Sequence, residues 1–213
     1  LKSMFSFMGW NAVGTFAFML KGQGVNMLLN FFYGPIVNAA RGIAYQVMGA
    51  MQGFASNVSA AFRPQMITSY ASKEYERTVR LLYSESKICF AIICTLIIPV
   101  ILEIDYILRV WLGEGAAPEY TNVFTILVLL DMLVGTFNTP FTQVIHATGK
   151  LRRYQIVSTV IHILILPVSC LLMVCGAGPT SAFWVCLAAA IVNVMVCCYV
   201  TNQLFHILYP PCK

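Results

Sequence analysis

A stripe of polar and charged side chains runs along one face of an otherwise apolar segment, residues 34–64. At 100° per residue its members fall within an arc of roughly 80°. They are Asn38, Arg41, Tyr45, Gly49, Gln52, Ser56, Ser59 and Arg63. Such a stripe is costly in hydrocarbon unless it faces protein or water. We therefore predict that it lines an interior cavity.

A second stripe lies in residues 120–147, where Asp131, Gly135, Asn138, Thr142 and His146 share an arc of roughly 80°. An acid within a membrane span needs a partner or a wet cavity. Asp131 therefore has two open interpretations, a structural ion pair or a proton or sodium site that couples transport. For His146 we expect an interfacial position without a function.

The first apolar segment is interrupted by Lys21, Gly22, Gln23 and Gly24. Either the helix ends near Leu20 and Lys21 reaches the membrane surface, or Lys21 is held in a cavity at the depth of Asp131. The apolar sequence resumes for about two helical turns after the interruption, which favours the cavity.

Composition places these stripes in a membrane. Of the 213 residues 59% are hydrophobic and 10% are charged, and the mean hydropathy is +0.79, far from the composition of soluble domains. The apolar segments have helical length and show no ten-residue alternation, so we predict an all-α membrane protein. The eight cysteines form no CxxC pair, and we predict neither a metal site nor a cofactor.

Six spans can be drawn, at 4–32, 35–63, 86–102, 120–147, 155–174 and 181–207. Pro35 fits a first helical turn, and Pro64 is expected to end the second helix. Residues 64–87 are expected to form a basic, helical surface connection, and residues 103–120 a short amphipathic helix ended by glycines.

The basic residues predict the orientation. If the N-terminus is cytoplasmic, ten of the thirteen lie on that side, whereas the outer loops hold only Arg109. The ten are Lys2, Arg63, Lys73, Arg77, Arg80, Lys87, Lys150, Arg152, Arg153 and Lys213. The excess of positive charge on one side supports this orientation and an even number of spans.

Several stretches carry a family resemblance: KGQGVNMLLNFFYGPIVNAARGIAYQV, RPQMITSYASKE, RVWLGEGAAPEYT and HATGKLRRYQIV. Together they resemble Wzx-type O-antigen flippases, the polysaccharide-exporter branch of the multidrug/oligosaccharidyl-lipid/polysaccharide superfamily. The resemblance implies a MATE-like architecture of two six-helix lobes around a central cavity. Residues 1–213 are then the C-terminal lobe, and we expect an N-terminal lobe that this sequence does not contain.

The resemblance also implies a function. The expected cargo is an undecaprenyl-diphosphate-linked oligosaccharide, flipped from the inner to the outer leaflet of the bacterial inner membrane for surface polysaccharide. The partners are then the cargo, membrane lipids and the other lobe, with no nucleic acid. We expect a transporter that works by alternating access, not an enzyme.

A diphosphate with sugars needs a wet, cationic, hydrogen-bonding path while its polyprenyl tail stays in lipid. We assign the path to polar residues of the first, second and fourth spans and keep Asp131 for ion coupling. The path residues are Lys21, Gln23, Asn26, Asn30, Asn38, Arg41, Tyr45, Gln52 and Asn138. Replacing Arg41 by Ala is expected to abolish surface polysaccharide without loss of protein.

Two alternatives remain open. A cation-coupled multidrug antiporter of the same fold would have a smaller, more acidic cavity. A membrane polysaccharide polymerase or glycosyltransferase would need clustered carboxylates for sugar chemistry. The outer loop offers only dispersed acids, namely Glu103, Asp105, Glu114 and Glu119.

Overall fold

A computed structural model describes the backbone of residues 2–148 and 151–208, and the side chains of 8–148 and 152–203. This part of the chain is almost wholly helical and contains no strand. The helices are α1 (Lys2–Ala71), α2 (Tyr75–Leu102), α3 (Ile104–Leu112), α4 (Thr121–Thr148), α5 (Leu151–Val174) and α6 (Ser181–Leu208). The all-α prediction is therefore confirmed for these residues.

Helix α1 is bent sharply at Gly34, which divides it into limb 1 (residues 2–33) and limb 2 (residues 35–71). Gly34 has φ 81° and ψ 178°, a conformation essentially confined to glycine. Arg41 Nη2 donates to the carbonyl of Gly22 at 3.0 Å, although 19 positions separate the two residues. A straight helix would hold them about 28 Å apart along its axis, so the limbs must fold back on each other.

Pro64 does not end limb 2, and that prediction is wrong. The helix continues through Pro64 to Ala71, where the segment around Met66 packs on Leu82 of α2 and Val144 of α4. Burial of Met66 offsets the backbone hydrogen bond that proline cannot make. The chain then turns at residues 72–74, and α2 begins at Tyr75. Residues 64–87 therefore extend two long helices and do not form a separate surface connection.

The short amphipathic helix is confirmed as α3. Its Ile104 and Leu108 are buried, whereas Tyr106 and Val110 are 62% and 68% exposed. It ends at Gly113, whose φ of 94° is disfavoured for other residues. Asn122 donates a hydrogen bond to Asp105, which ties α3 to the start of α4.

Helix α4 lies at the centre, in contact with α1, α2 and α6. Phe124 stacks on Phe183 with ring centroids 4.3 Å apart, and further along both helices Thr142 Oγ1 lies 3.8 Å from Cys197 Sγ. Because both residue numbers increase together, α4 and α6 run in the same direction. Close packing of this kind, rather than exclusion of water, holds helices together within a bilayer.

Small residues let limb 1 approach α5. A Cβ at Gly24 would come within 2.4 Å of the Leu166 side chain, and one at Gly14 would overlap the Gln155 amide. Small residues at helix contacts are typical of packing within membranes. Limb 1 and α5 therefore form one wall of the bundle.

Four of the described helical segments are long and apolar enough to cross a membrane: Tyr75–Leu102, Thr121–Thr148, Arg152–Val174 and Ser181–Gln203. The two limbs of α1 are not among them. Their polar stripes lower the mean hydropathy of both limbs. Large apolar side chains cover much of the outer surface, including Phe31 at 82% and Leu102 at 75% exposure, which suits contact with lipid chains.

Candidate functional site

A cavity of about 760 Å³ opens inside the bundle, between both limbs of α1 and helices α2, α4, α5 and α6. Polar side chains line it from several of these helices. They include Gln52 and Ser56 from limb 2, Asp131 and Asn138 from α4, Gln155 from α5 and Asn193 from α6. Polar side chains that face an interior cavity can keep water or a polar solute inside an apolar bundle.

Three of the ten predicted site residues line this cavity: Gln52, Asn138 and Asp131. The other seven lie outside its wall. They are Lys21, Gln23, Asn26, Asn30, Asn38, Arg41 and Tyr45. The stripe of limb 2 therefore divides along its length, and the part from Gln52 to Arg63 faces the cavity while the part nearer Gly34 does not.

The part nearer Gly34 is occupied by contacts within the bent helix. Arg41 donates to the Gly22 carbonyl at 3.0 Å and to Asn26 Oδ1 at 3.4 Å. Its guanidinium carbon lies 4.4 Å from the centre of the Tyr45 ring, within the range of a cation–π contact. Three of the predicted residues thus combine in one cluster that joins limb 1 to limb 2.

The remaining members of the predicted set are dispersed. Gln23 and Asn30 are exposed on limb 1. Asn38 is half-buried, and its Oδ1 has no hydrogen-bond partner among the described residues. The helical wheel shows which side chains share a face of the helix. It does not show which of these side chains contact another helix.

Lys21 lies within a continuous helix, so the alternative in which the helix ends near Leu20 is wrong. Its side chain is half-buried, with Nζ 6.0 Å from the Phe18 ring. It also lies near enough to act electrostatically on the Asp131 carboxyl. In the described part of the chain, however, no ion pair within 4 Å joins them.

Asp131 is half-buried in the cavity wall, and its Oδ1 has no hydrogen-bond partner among the described side chains. A carboxyl so placed needs water, a cation or a proton. Asn138 lies two turns further along α4, and its Nδ2 donates to the Tyr154 hydroxyl at 3.3 Å. These side chains provide both an acidic and an amide group to the cavity.

Glu85 was missed by sequence reasoning. It is 0% exposed, and Gln143 Nε2, from a residue of the cavity wall, donates to its Oε1 at 3.0 Å. A signal was present, because Thr78, Leu82, Glu85, Ser86 and Cys89 form the buried face of α2 at helical spacing. The predicted third span began at residue 86, so it left out Glu85 and the buried residues before it.

The cavity wall also includes groups that were not assigned to the site. Arg63, which belongs to the limb 2 stripe, contributes a guanidinium, and His146 of α4 contributes an imidazole. Among the side chains that the structure describes, no group of three His, Cys, Asp or Glu residues is arranged to hold a metal ion. Seven cysteines in the described region are free thiols.

Comparison with known proteins gives no further assignment. No protein-family model, curated protein or solved structure matches the chain. The geometry of the site offers hydrogen-bond donors, acceptors and both signs of charge around one cavity.

Proposed function

We propose that this chain is one lobe of a MATE-like transporter that flips an undecaprenyl-diphosphate-linked oligosaccharide across the bacterial inner membrane. In this proposal the two limbs of α1 join α2, α4, α5 and α6 as the six spans of the lobe. The residues at the N-terminus lie in the cytoplasm, and an N-terminal lobe completes the transporter. The family resemblance of the sequence supplies the cargo and the second lobe.

One observation carries the proposal: a cavity of about 760 Å³, with polar side chains from several helices in its wall, within a bundle whose outer surface is apolar. A transporter of an amphiphile must solvate a polar headgroup while the lipid tail remains in the bilayer. Amide and hydroxyl groups such as those of Gln52, Asn138 and Ser56 are suited to hydrogen bonding with sugars. Arg63 adds a cation that can pair with a phosphate.

The energetics favour outward movement of such a cargo. With the cell interior negative, moving two negative charges across the full field gains about 5 kcal/mol per 100 mV. The protein then has to lower only the cost of desolvating the headgroup, by alternating access of the cavity between the two faces. Lys21 and Arg41 lie outside the cavity wall. In this mechanism both contribute their electrostatic field, and Arg41 also holds the limbs together.

A cation-coupled multidrug antiporter is a second candidate, and one observation favours it. Asp131 lies in the cavity wall, whereas Arg41 and Lys21 do not. A carboxyl that faces a cavity attracts cationic solutes and coupling ions. The basic residues at one end, represented in the wall by Arg63, favour the anionic cargo instead.

The decisive experiment measures flipping in liposomes that contain the protein carrying this chain. A fluorescent lipid-diphosphate oligosaccharide is placed in one leaflet, and its appearance in the other is followed; a neutral lipid-linked sugar and a cationic drug serve as comparison cargos. We expect transfer of the anionic lipid, accelerated when an imposed potential drives negative charge along the direction of transfer. Transfer of the drug alone would support the antiporter, and a new covalent sugar product would indicate an enzyme.

A further inference from the structure

Glu85 is the one charged side chain, among those the structure describes, that is fully enclosed by protein, with 0% exposure. Other charged residues of α2, such as Arg80 and Lys87, are exposed. The proposed function uses none of them. A fully buried acid on a helix face whose other buried residues are uncharged requires a separate explanation.

The partners of Glu85 do not include a cation. Gln143 Nε2 donates to Oε1 at 3.0 Å, and the Ser59 hydroxyl is a second polar neighbour of the carboxyl. The other oxygen, Oε2, is buried and accepts no hydrogen bond from described groups. No described Lys, Arg or His side chain lies within 4 Å of the carboxyl.

Glu85 lies one layer behind the cavity. Ser59, Cys89 and Gln143 belong to the cavity wall, whereas Glu85 does not. Three helical segments meet here, because Met66 of limb 2, Leu82 of α2 and Val144 of α4 form one apolar cluster beside it. Separation of these three segments would therefore expose the carboxyl to water in the cavity.

An ionised carboxylate enclosed in this way, with two neutral neighbours and no cation, is strongly disfavoured, and protonation removes the charge. We propose that Glu85 binds a proton when limb 2, α2 and α4 pack together, and releases it when they separate. A hydronium ion in the cavity transfers its proton to Oε2, forming an O–H bond and leaving a water molecule. The Ser59 hydroxyl lies between the cavity and the carboxyl and provides the route.

Other charged and titratable groups lie at this end of the cavity and act on the carboxyl once the segments separate. Arg63 faces it from limb 2, His146 from α4, and Cys89 from α2; Arg63 also acts electrostatically on His146. When the segments separate, ionised Glu85 gains water and the attraction of these basic groups. The packed state holds one more proton than the separated state, so acidic pH favours packing and alkaline pH favours opening.

This inference goes beyond the proposed function and does not depend on its cargo. The test is infrared difference spectroscopy on the full chain in lipid bilayers without any cargo. Wild-type protein is expected to show the C=O stretch of a protonated carboxyl near neutral pH, and that band should shift in D₂O. In Glu85→Gln, which is nearly isosteric with the protonated acid, the band should be lost.

Two matched variants complete the test. Glu119→Gln removes an exposed acid and Asp131→Asn removes the acid in the cavity wall, and both should retain the band. Absence of the band from Asp131→Asn, or its persistence in the double variant Glu85→Gln/Asp131→Asn, would overturn the assignment. A failed flipping assay would leave this result unaffected, because no cargo is present.

Hydrogen exchange tests the link to opening. After correction for the intrinsic pH dependence of exchange, backbone amides of α2 around Glu85 should exchange more slowly at acidic than at alkaline pH in wild-type protein. That difference should disappear in Glu85→Gln if the carboxyl is responsible. An equal pH dependence in both proteins would show that other groups control the opening.

Discussion

At the scale of single residues, two different roles can be proposed for Arg41, and different measurements can separate them. The sequence suggests a ligand-binding cation, whereas its contacts join the two limbs of α1 through Gly22, Asn26 and the Tyr45 ring. A half-buried guanidinium with these partners stabilises the bend. Its Nε is buried and has no hydrogen-bond partner among the described groups, so one donor of the side chain remains unpaired there.

Arg41→Lys keeps the positive charge and removes the planar group that reaches two acceptors and stacks on the ring. We expect the free energy of unfolding to fall by about 1–3 kcal/mol, measured by denaturant titration in mixed micelles. Arg109→Lys, on exposed α3, is the matched control and should have little effect. Full stability of Arg41→Lys combined with loss of flipping would instead support the binding role.

The residue scale also shows what sequence could and could not predict. The helical period predicts that Gln52, Asn138 and Asp131 lie on inward faces of their helices, and all three are in the cavity wall. The helical period does not show where along a stripe the contact with a neighbouring helix ends. It therefore could not predict that Arg41 and Tyr45 lie among the contacts between the two limbs. Glu85 was missed because the predicted third span was placed on the run of apolar residues that follows position 86. The helical repeat of buried residues in α2 begins earlier, at Thr78.

At the scale of elements, the bend at Gly34 determines how limb 1 and limb 2 meet. The glycine dihedral angles, φ 81° and ψ 178°, direct limb 2 back along limb 1. Tyr33, the last residue of limb 1, donates a hydrogen bond to the Ala177 carbonyl in the turn between α5 and α6. The bend is therefore fixed both by backbone conformation and by an anchor.

Gly34→Ala would place a Cβ at a backbone conformation that alanine rarely adopts, although no neighbouring atom lies within 4 Å of it. We expect a loss of about 1–3 kcal/mol in the free energy of unfolding. Gly42→Ala is the control, since Gly42 lies within limb 2 with equally open surroundings, and it should be neutral or stabilising by up to about 1 kcal/mol. Equal effects of the two substitutions would mean that the bend does not depend on the glycine conformation.

Element boundaries were predictable from the sequence where turns carry their own chemistry. Helix α3 ends at Gly113, and residues near Gly176, which has φ 86°, separate α5 from α6. The prediction that the helix ends at Pro64 was wrong because proline destabilises a helix interior but does not always end the helix. The tertiary packing of Met66 outweighed that cost. Local signals therefore predict turns better than they predict the continuation of a long helix.

At the scale of the whole molecule, the cavity in the middle of the bundle is the feature on which the proposed transport depends. The lipid-facing exterior and the polar interior were both predictable from composition and periodicity. The helices that surround the cavity were not, because their arrangement arises from contacts between residues far apart in sequence. Limb 2 and α4 supply the two predicted stripes, and α2, α5 and α6 supply residues that no stripe indicated.

Gln52→Trp should obstruct the cavity, because Gln52 lies in its wall. We expect the flipping rate to fall at least about tenfold, which corresponds to roughly 1.4 kcal/mol in the barrier. Gln65→Trp is the matched control, because Gln65 is exposed on the same limb and lies outside the cavity wall. Equal transport by both variants would show that the cargo does not pass through this cavity.

The anchor of the bend has a consequence for biosynthesis. Tyr33 and Ala177 are 144 positions apart, so the acceptor leaves the ribosome roughly 7–30 s after the donor. Throughout that interval the nascent hairpin lacks this anchor and depends on Gly34, on the Arg41 contacts and on the other contacts between its limbs. A helix pair that is synthesised early therefore gains its anchor late, because the Tyr33 hydroxyl has no Ala177 carbonyl to bind until the last turn has emerged.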